Sequence, residues 1–108
     1  MGQYRLGEFE EVVLLTVAIL HDEAYGVAII EEMEKRLKRN VSIGALQTVL
    51  RRLEDKGLLT SAFGEATQVR GGKRKRYFAL TKYGYKILTE TKEQRLALWK
   101  AIPAISFK

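Results

Sequence analysis

Ser42-Ile-Gly-Ala-Leu-Gln-Thr-Val-Leu-Arg-Arg-Leu-Glu-Asp-Lys-Gly57 is the stretch that decides the fold. Leu46, Val49, Leu50 and Leu53 recur at spacings of three, four and seven, the period of a helix buried along one side. Ser42 suits the N-cap, because its hydroxyl accepts a backbone N–H that the first helical turn leaves unpaired. Gly57 supplies a left-handed stop at the other end. With the apolar stripe inward, a step of about 100° per residue turns Gly44, Thr48, Arg51 and Asp55 outward, with Gln47 and Arg52 on the flanks.

Downstream, the basic run Arg70-Gly-Gly-Lys-Arg-Lys-Arg76 leads straight into Tyr77-Phe-Ala-Leu-Thr81. Leu58 to Glu65 reads as a strand and Lys75 to Leu80 as its return, joined by a turn at Gly71-Gly72. Thr81 caps a last helix from Lys82 to about Lys100, which ends before Pro103. Upstream, a first helix runs from Glu8 to Leu20, its acidic first turn suited to the positive end of the helix dipole. From Val12 it is apolar nearly all round, which asks for a core on one side and a partner subunit on another. Asp22-Glu-Ala-Tyr-Gly26 is a turn. A second helix covers Val27 to Arg39, with Ile30, Met33 and Leu37 expected on its inner face. The order implies an α+β winged helix-turn-helix: a three-helix core, a two-stranded wing and an added C-terminal dimerisation helix. Residues 1–81 would be the DNA-binding part and 82–108 the dimerisation helix with a short tail, together one compact unit.

A chain of 108 residues has room for one modest core, which dimerisation would support. It has no Cys, which excludes disulfides and Cys-based zinc sites and agrees with a cytoplasmic, nucleoid-associated location. The opening residues Met1 to Glu8 hold no apolar signal region. Leu6 stands where a myristoylation motif on Gly2 needs Ser or Thr. The apolar run Val12 to Leu20 falls well short of the roughly 20 residues that cross a bilayer. Of the net charge of +6, Arg70, Lys73, Arg74, Lys75 and Arg76 supply +5, leaving about +1 elsewhere. One concentrated basic element of this kind fits contact with phosphates better than general solvation does.

Two surfaces follow. On the third helix, small Gly44 and Ala45 beside the Ser42 cap would let a backbone come close. Gln47 has the fork for adenine, Arg51 or Arg52 for guanine or phosphate, and Thr48 reaches a thymine methyl or phosphate. On the wing, Lys73, Arg74, Lys75 and Arg76 would supply salt-dependent affinity rather than sequence choice. Taken alone, the helix face reads equally as a solvated face and a basic loop is more usually solvated, and it is their adjacency that favours double-stranded DNA. A third set comprises Phe9, Val12, Val13 and Thr16 on the first helix with Ile87, Leu88, Thr91, Arg95, Leu98 and Trp99 on the last. It reads as core packing, or as a dimer seam or ligand pocket where Trp99 would stack on a planar molecule. No metal or cofactor is expected, and no catalytic motif occurs: His21, beside Asp22, reads as a turn residue.

These residues resemble the PadR family of bacterial transcriptional regulators across nearly the whole chain. Tyr25-Gly26 followed by Ile29-Ile-Glu-Glu32 is similar to the family's second-helix opening. Ser42-Ile-Gly-Ala-Leu46 with Leu50-Arg-Arg-Leu-Glu-Asp-Lys-Gly-Leu-Leu59 resembles its recognition helix and first strand. Gly72-Lys-Arg-Lys-Arg-Tyr-Phe-Ala-Leu-Thr81, with Gly84, resembles its wing and the start of its final helix. Gln47-Thr48 departs from the family's usual Tyr-Pro, and Arg74 replaces the Pro of its usual Arg-Pro-Arg. Both departures bear on which operator is read. The resemblance implies a non-enzymatic homodimer that represses nearby genes from a pseudo-palindromic operator, often relieved by a small phenolic or lipophilic effector. The alternatives are a winged-helix protein-interaction module, or a small-molecule-binding dimer without direct DNA recognition.

Overall fold

A computed structural model of the chain describes residues 5–64 and 74–107. The expected Glu65 strand end, the Gly71-Gly72 turn and the side chains of Arg70 and Lys73 lie outside the described residues. Four helices and one hairpin follow in the order α1 (Glu8–Leu20), α2 (Gly26–Leu37), α3 (Ile43–Asp55), β1 (Leu59–Phe63), β2 (Arg76–Leu80) and α4 (Lys82–Ala101). This is the expected α+β winged helix-turn-helix.

The third helix obeys its sequence pattern. Leu46, Val49, Leu50 and Leu53 are its buried residues. The Ala45 N–H donates to Ser42 Oγ at 3.1 Å, and Gly57 takes a φ of +80°, which side chains disfavour. Around this stripe the core draws on every helix and on the hairpin. Val13, Leu14 and Val17 come from α1, Ile29 and Met33 from α2, Leu59 and Phe78 from the strands, and Ile87 and Leu88 from α4. The second helix departs from expectation at both ends. Lys38 adopts a left-handed φ of 54° and stops the helix before Arg39. Ile29, not Leu37, faces inward with Met33, and Leu37 stays half exposed, at 51%. Leu37 sits in the last turn, where the chain is already leaving the core.

β1 and β2 pair antiparallel, with Leu59 opposite Leu80 and Phe63 opposite Arg76. The Asp22–Gly26 turn contributes more than a bend. His21–Glu23 forms a short 3-10 turn. Beyond it Tyr25 bridges Tyr77, and the Phe78 N–H donates to the Ala24 carbonyl at 2.8 Å. The wing is thereby stitched to the segment between α1 and α2 as well as to α3. At the other end of β2, the Thr81 hydroxyl donates to the Gly57 carbonyl at 2.6 Å and accepts from the Gly84 N–H at 2.9 Å. Gly84 lets α4 approach this corner, since a Cβ there would lie 2.1 Å from the Leu58 carbonyl oxygen. Among the described residues no helix is long and apolar enough to cross a membrane.

Candidate nucleic-acid interface

The exposed side of α3 divides into three stripes, each with a different outlook. Gly44, Thr48, Arg51 and Asp55 point away from the body, and all four are exposed. Gln47 and Glu54 turn toward the wing, and Arg51 and Asp55 stand at the border between these two stripes. These four line a cleft of about 880 Å³ whose opposite wall is Arg74, Lys75 and Arg76 and whose end is Tyr25, Gly26 and Val27. On the third stripe Arg52 leans the other way, toward α1, where it meets the Glu10 carboxylate at 3.6 Å. Glu10 is a buried carboxylate that also accepts the Gly7 N–H at 2.8 Å. Arg52 is thus partly engaged inside the protomer, whereas Arg51 has no ion-pair partner among the described residues.

The N-terminal turn of α3 is open. A Cβ built on Gly44 would meet nothing within 4 Å, so no internal packing demands a glycine there. Ser42 and Ala45 are exposed beside it. Thr48 donates its hydroxyl to the Gly44 carbonyl at 3.0 Å, which ties up the proton and leaves the oxygen lone pairs and the methyl group available.

The wing side is held by ring contacts. The Lys75 ammonium lies 4.2 Å from the centroid of Tyr25, which packs edge-on against Tyr77. The Arg74 guanidinium lies over Phe63 and donates to the Gly64 carbonyl at 2.9 Å. Arg76 is the most constrained of the three. It lies over both Phe63 and Phe78, its Nη2 reaches Glu54 at 3.2 Å, and its Nε donates to Ser61 Oγ at 2.9 Å. The sequence shows the basic run but not this link, whose partners stand 15 and 22 residues apart.

The seam set is split by the structure. Val13, Thr16, Ile87 and Leu88 are buried within the protomer itself, where α1 and α4 meet. Phe9 and Val12 pack against that core while partly exposed, and the Arg39 guanidinium covers the Phe9 ring at 5.1 Å. Arg95 binds Glu11 of α1 through Nη2 at 2.6 Å and Nε at 3.2 Å, which fastens α4 to its own body. Thr91 is half-buried. Leu98 and Trp99 are each 70% exposed. They continue into exposed Ile102, Ile105 and Phe107, while α1 offers exposed Leu15 and Ile19.

Charge pairing also fixes the corner between α1 and the connection to α3. Arg39 forks onto Glu8 at 2.8 and 3.0 Å. That hydrogen-bonded guanidinium holds the Glu8 carboxyl below its ordinary pKa and raises that of Arg39 in turn. Arg95 is raised likewise by Glu11. His21 is exposed, 3.7 Å from Asp22. Among the described residues no group of three or more His, Asp or Glu side chains is arranged to hold a metal ion.

Comparison with known proteins agrees with this geometry. The model of the transcriptional regulator PadR-like family matches residues 14–94. A PadR-like transcription factor from Bacteroides fragilis is 30% identical with a TM-score of 0.71, over 85% of this chain and 84% of that one. A PadR family transcription regulator from Clostridium difficile is 26% identical with a TM-score of 0.67, over 85% and 92%. A PadR family regulator from Eggerthella lenta is 27% identical with the same score, over 86% and 80%. No curated protein matches the chain. A family model spanning most of the sequence and solved relatives of nearly equal length converge: the chain belongs to the PadR-like family of transcriptional regulators.

Proposed function

We propose that this chain is a homodimeric, cytoplasmic repressor that binds a pseudo-palindromic DNA operator and is released by a small effector. The carrying observation is the shared cleft, which puts Gln47 and Arg51 of α3 across from Arg74 and Lys75 of the wing. A helix inserted by its N-terminal turn into the major groove would present Gly44, Gln47, Thr48 and Arg51 to base edges. Lys73, Arg74 and Lys75 would then lie along the neighbouring phosphates, where they add affinity that falls with salt. PadR-family membership supports DNA as the ligand. It also supports reading residues 1–81 as the DNA-binding part and the segment from 82 onward as the dimerisation element.

Dimerisation is favoured by the far half of α4. Leu96, Leu98, Trp99 and Ile102 are exposed apolar side chains on or just beyond a helix of 20 residues. A second protomer would cover them and bring Trp99 close to its mate, forming a seam in which a planar effector has a stacking surface. The test is selection of duplexes from a random pool by the purified protein, followed by footprinting of the enriched sequence. The expected result is two protected half-sites related by a two-fold axis and spaced by about one helical turn. A protein that enriches no duplex, or that protects no site, overturns the reading and leaves the basic hairpin as a surface for an acidic protein.

A further inference from the structure

We propose that Arg76, Glu54 and Ser61 form a latch that sets the wing at a fixed angle to the recognition helix. In this role they are positioning residues and not contacts to phosphate or base. The inference rests on the DNA-binding reading above and reassigns Arg76, which the sequence groups with the phosphate-facing cations.

Three hydrogen bonds close a ring across three elements. Arg76, the first residue of β2, donates through Nη2 to Glu54 Oε1 at 3.2 Å and through Nε to Ser61 Oγ at 2.9 Å. Ser61, in β1, donates its own proton to Glu54 Oε2 at 2.7 Å. Every donor in the ring has an acceptor, and the hydroxyl serves as both. The guanidinium is held from the sides as well, with the Phe63 and Phe78 ring centroids 5.4 and 5.7 Å away. Strand pairing sets Arg76 opposite Phe63 and Phe78 opposite Ser61. These four therefore share one face of the hairpin, the face that carries buried Phe78.

Placement of Glu54 decides between latch and clamp. It stands three residues after Arg51 on α3, one turn along the same side. A carboxylate lining a cleft meant for phosphates repels them unless a cation is committed to it. Arg76 supplies that cation and gains a direction in return. Because Ser61 ties both ends to β1, the hairpin cannot swing outward from α3 without breaking the ring. Arg74 and Lys75 precede Arg76 directly, so the latch also governs how far they stand from Gln47 and Arg51.

The test compares Glu54→Gln, Ser61→Ala, Arg76→Ala and the Glu54→Gln/Ser61→Ala double variant with the wild-type protein. The probe is the duplex that the wild type enriches from a random pool, titrated by fluorescence anisotropy at several salt concentrations, with a thermal melt of each variant. A latch predicts roughly two- to fivefold weaker binding for each single variant, the scale on which one partly exposed ion pair acts. It predicts an unchanged salt slope for Arg76→Ala, and a double variant no weaker than the worse single one. Simple charge repulsion predicts the opposite sign for Glu54→Gln, because deleting a carboxylate beside phosphates tightens binding. Ser61→Ala changes no charge and is the mildest change to the fold, so it separates the two where another variant is unstable. Tighter binding by Glu54→Gln, unaltered binding by Ser61→Ala, or a slope reduced by about 0.9 in Arg76→Ala overturns the latch. A wild-type protein that enriches no duplex overturns the function and this inference together. One that binds while Glu54→Gln binds more tightly overturns the latch alone.

Discussion

Gly44→Ala is expected to make the protein more stable and a poorer DNA binder at once. Gly44 is the second residue of α3 and has ordinary helical geometry, and the space where its Cβ would sit is empty to 4 Å. Alanine therefore brings no internal clash and removes the backbone entropy that glycine loses on folding, worth about 0.5–1 kcal/mol in a helix. For a chain of this size that is a rise in melting temperature of about 2–8 °C. On the outer side the same methyl group stands where the helix backbone would approach base edges. If it displaces one hydrogen bond to a base, binding weakens by about 1–3 kcal/mol, or a dissociation constant raised roughly 5- to 150-fold. Circular dichroism melts and anisotropy titrations on the selected duplex read the two effects separately. A stabilised variant with wild-type affinity would refute insertion of the α3 N-terminus into the groove. A destabilised variant would refute the account of Gly44 as internally unconstrained.

Other outcomes follow from the same geometry. Arg51→Ala should weaken specific binding by about 1–3 kcal/mol in titrations against the selected duplex, and wild-type affinity would remove Arg51 from the reading surface. Neutralising Lys73 and Arg74 should flatten the plot of log affinity against log salt by about 0.9 for each phosphate left without its cation, and an unchanged slope would show an idle wing. Trp99→Ala should raise the dimer dissociation constant, measured by sedimentation, by an amount equivalent to about 2–4 kcal/mol; no change would place the seam elsewhere. The Glu8 carboxyl, followed by NMR, should titrate below the ordinary glutamate value, and Arg39→Ala should raise it. Since the folded-state pKa is the lower one, the stabilisation is present above the unfolded value and is lost as pH falls through the folded one.

Much of this molecule is legible from local pattern. The α3 stripe, its Ser42 cap, its Gly57 stop and the return strand ending at Leu80 each depend on residues within a few positions of one another. Such features survive in a one-dimensional string. Leu37 misleads because periodicity assumes that the helix stays on the core to its end, and Lys38 turns the chain away first. The Tyr25 bridge to Tyr77 escapes notice because a single paired residue has no alternation to display. Val13, Thr16, Ile87 and Leu88 read as seam residues because two helices carry an apolar surplus. A surplus cannot tell which of its members face each other inside one protomer. Least visible of all are the partners of Arg52, Arg76 and Arg95, whose carboxylates lie far away along the chain. A sequence shows where positive charge is dense, but not which cations are already spoken for.

Glu10 and Glu11 are neighbours on α1 that grip different helices, Arg52 on α3 and Arg95 on α4. The first helix therefore acts as a splint between α3 and α4, the helices that in the proposed function would face bases and a second subunit. Sliding the last helix along its own body would strain Glu11, and Glu10, a single peptide bond away, would convey the tug to Arg52 on α3.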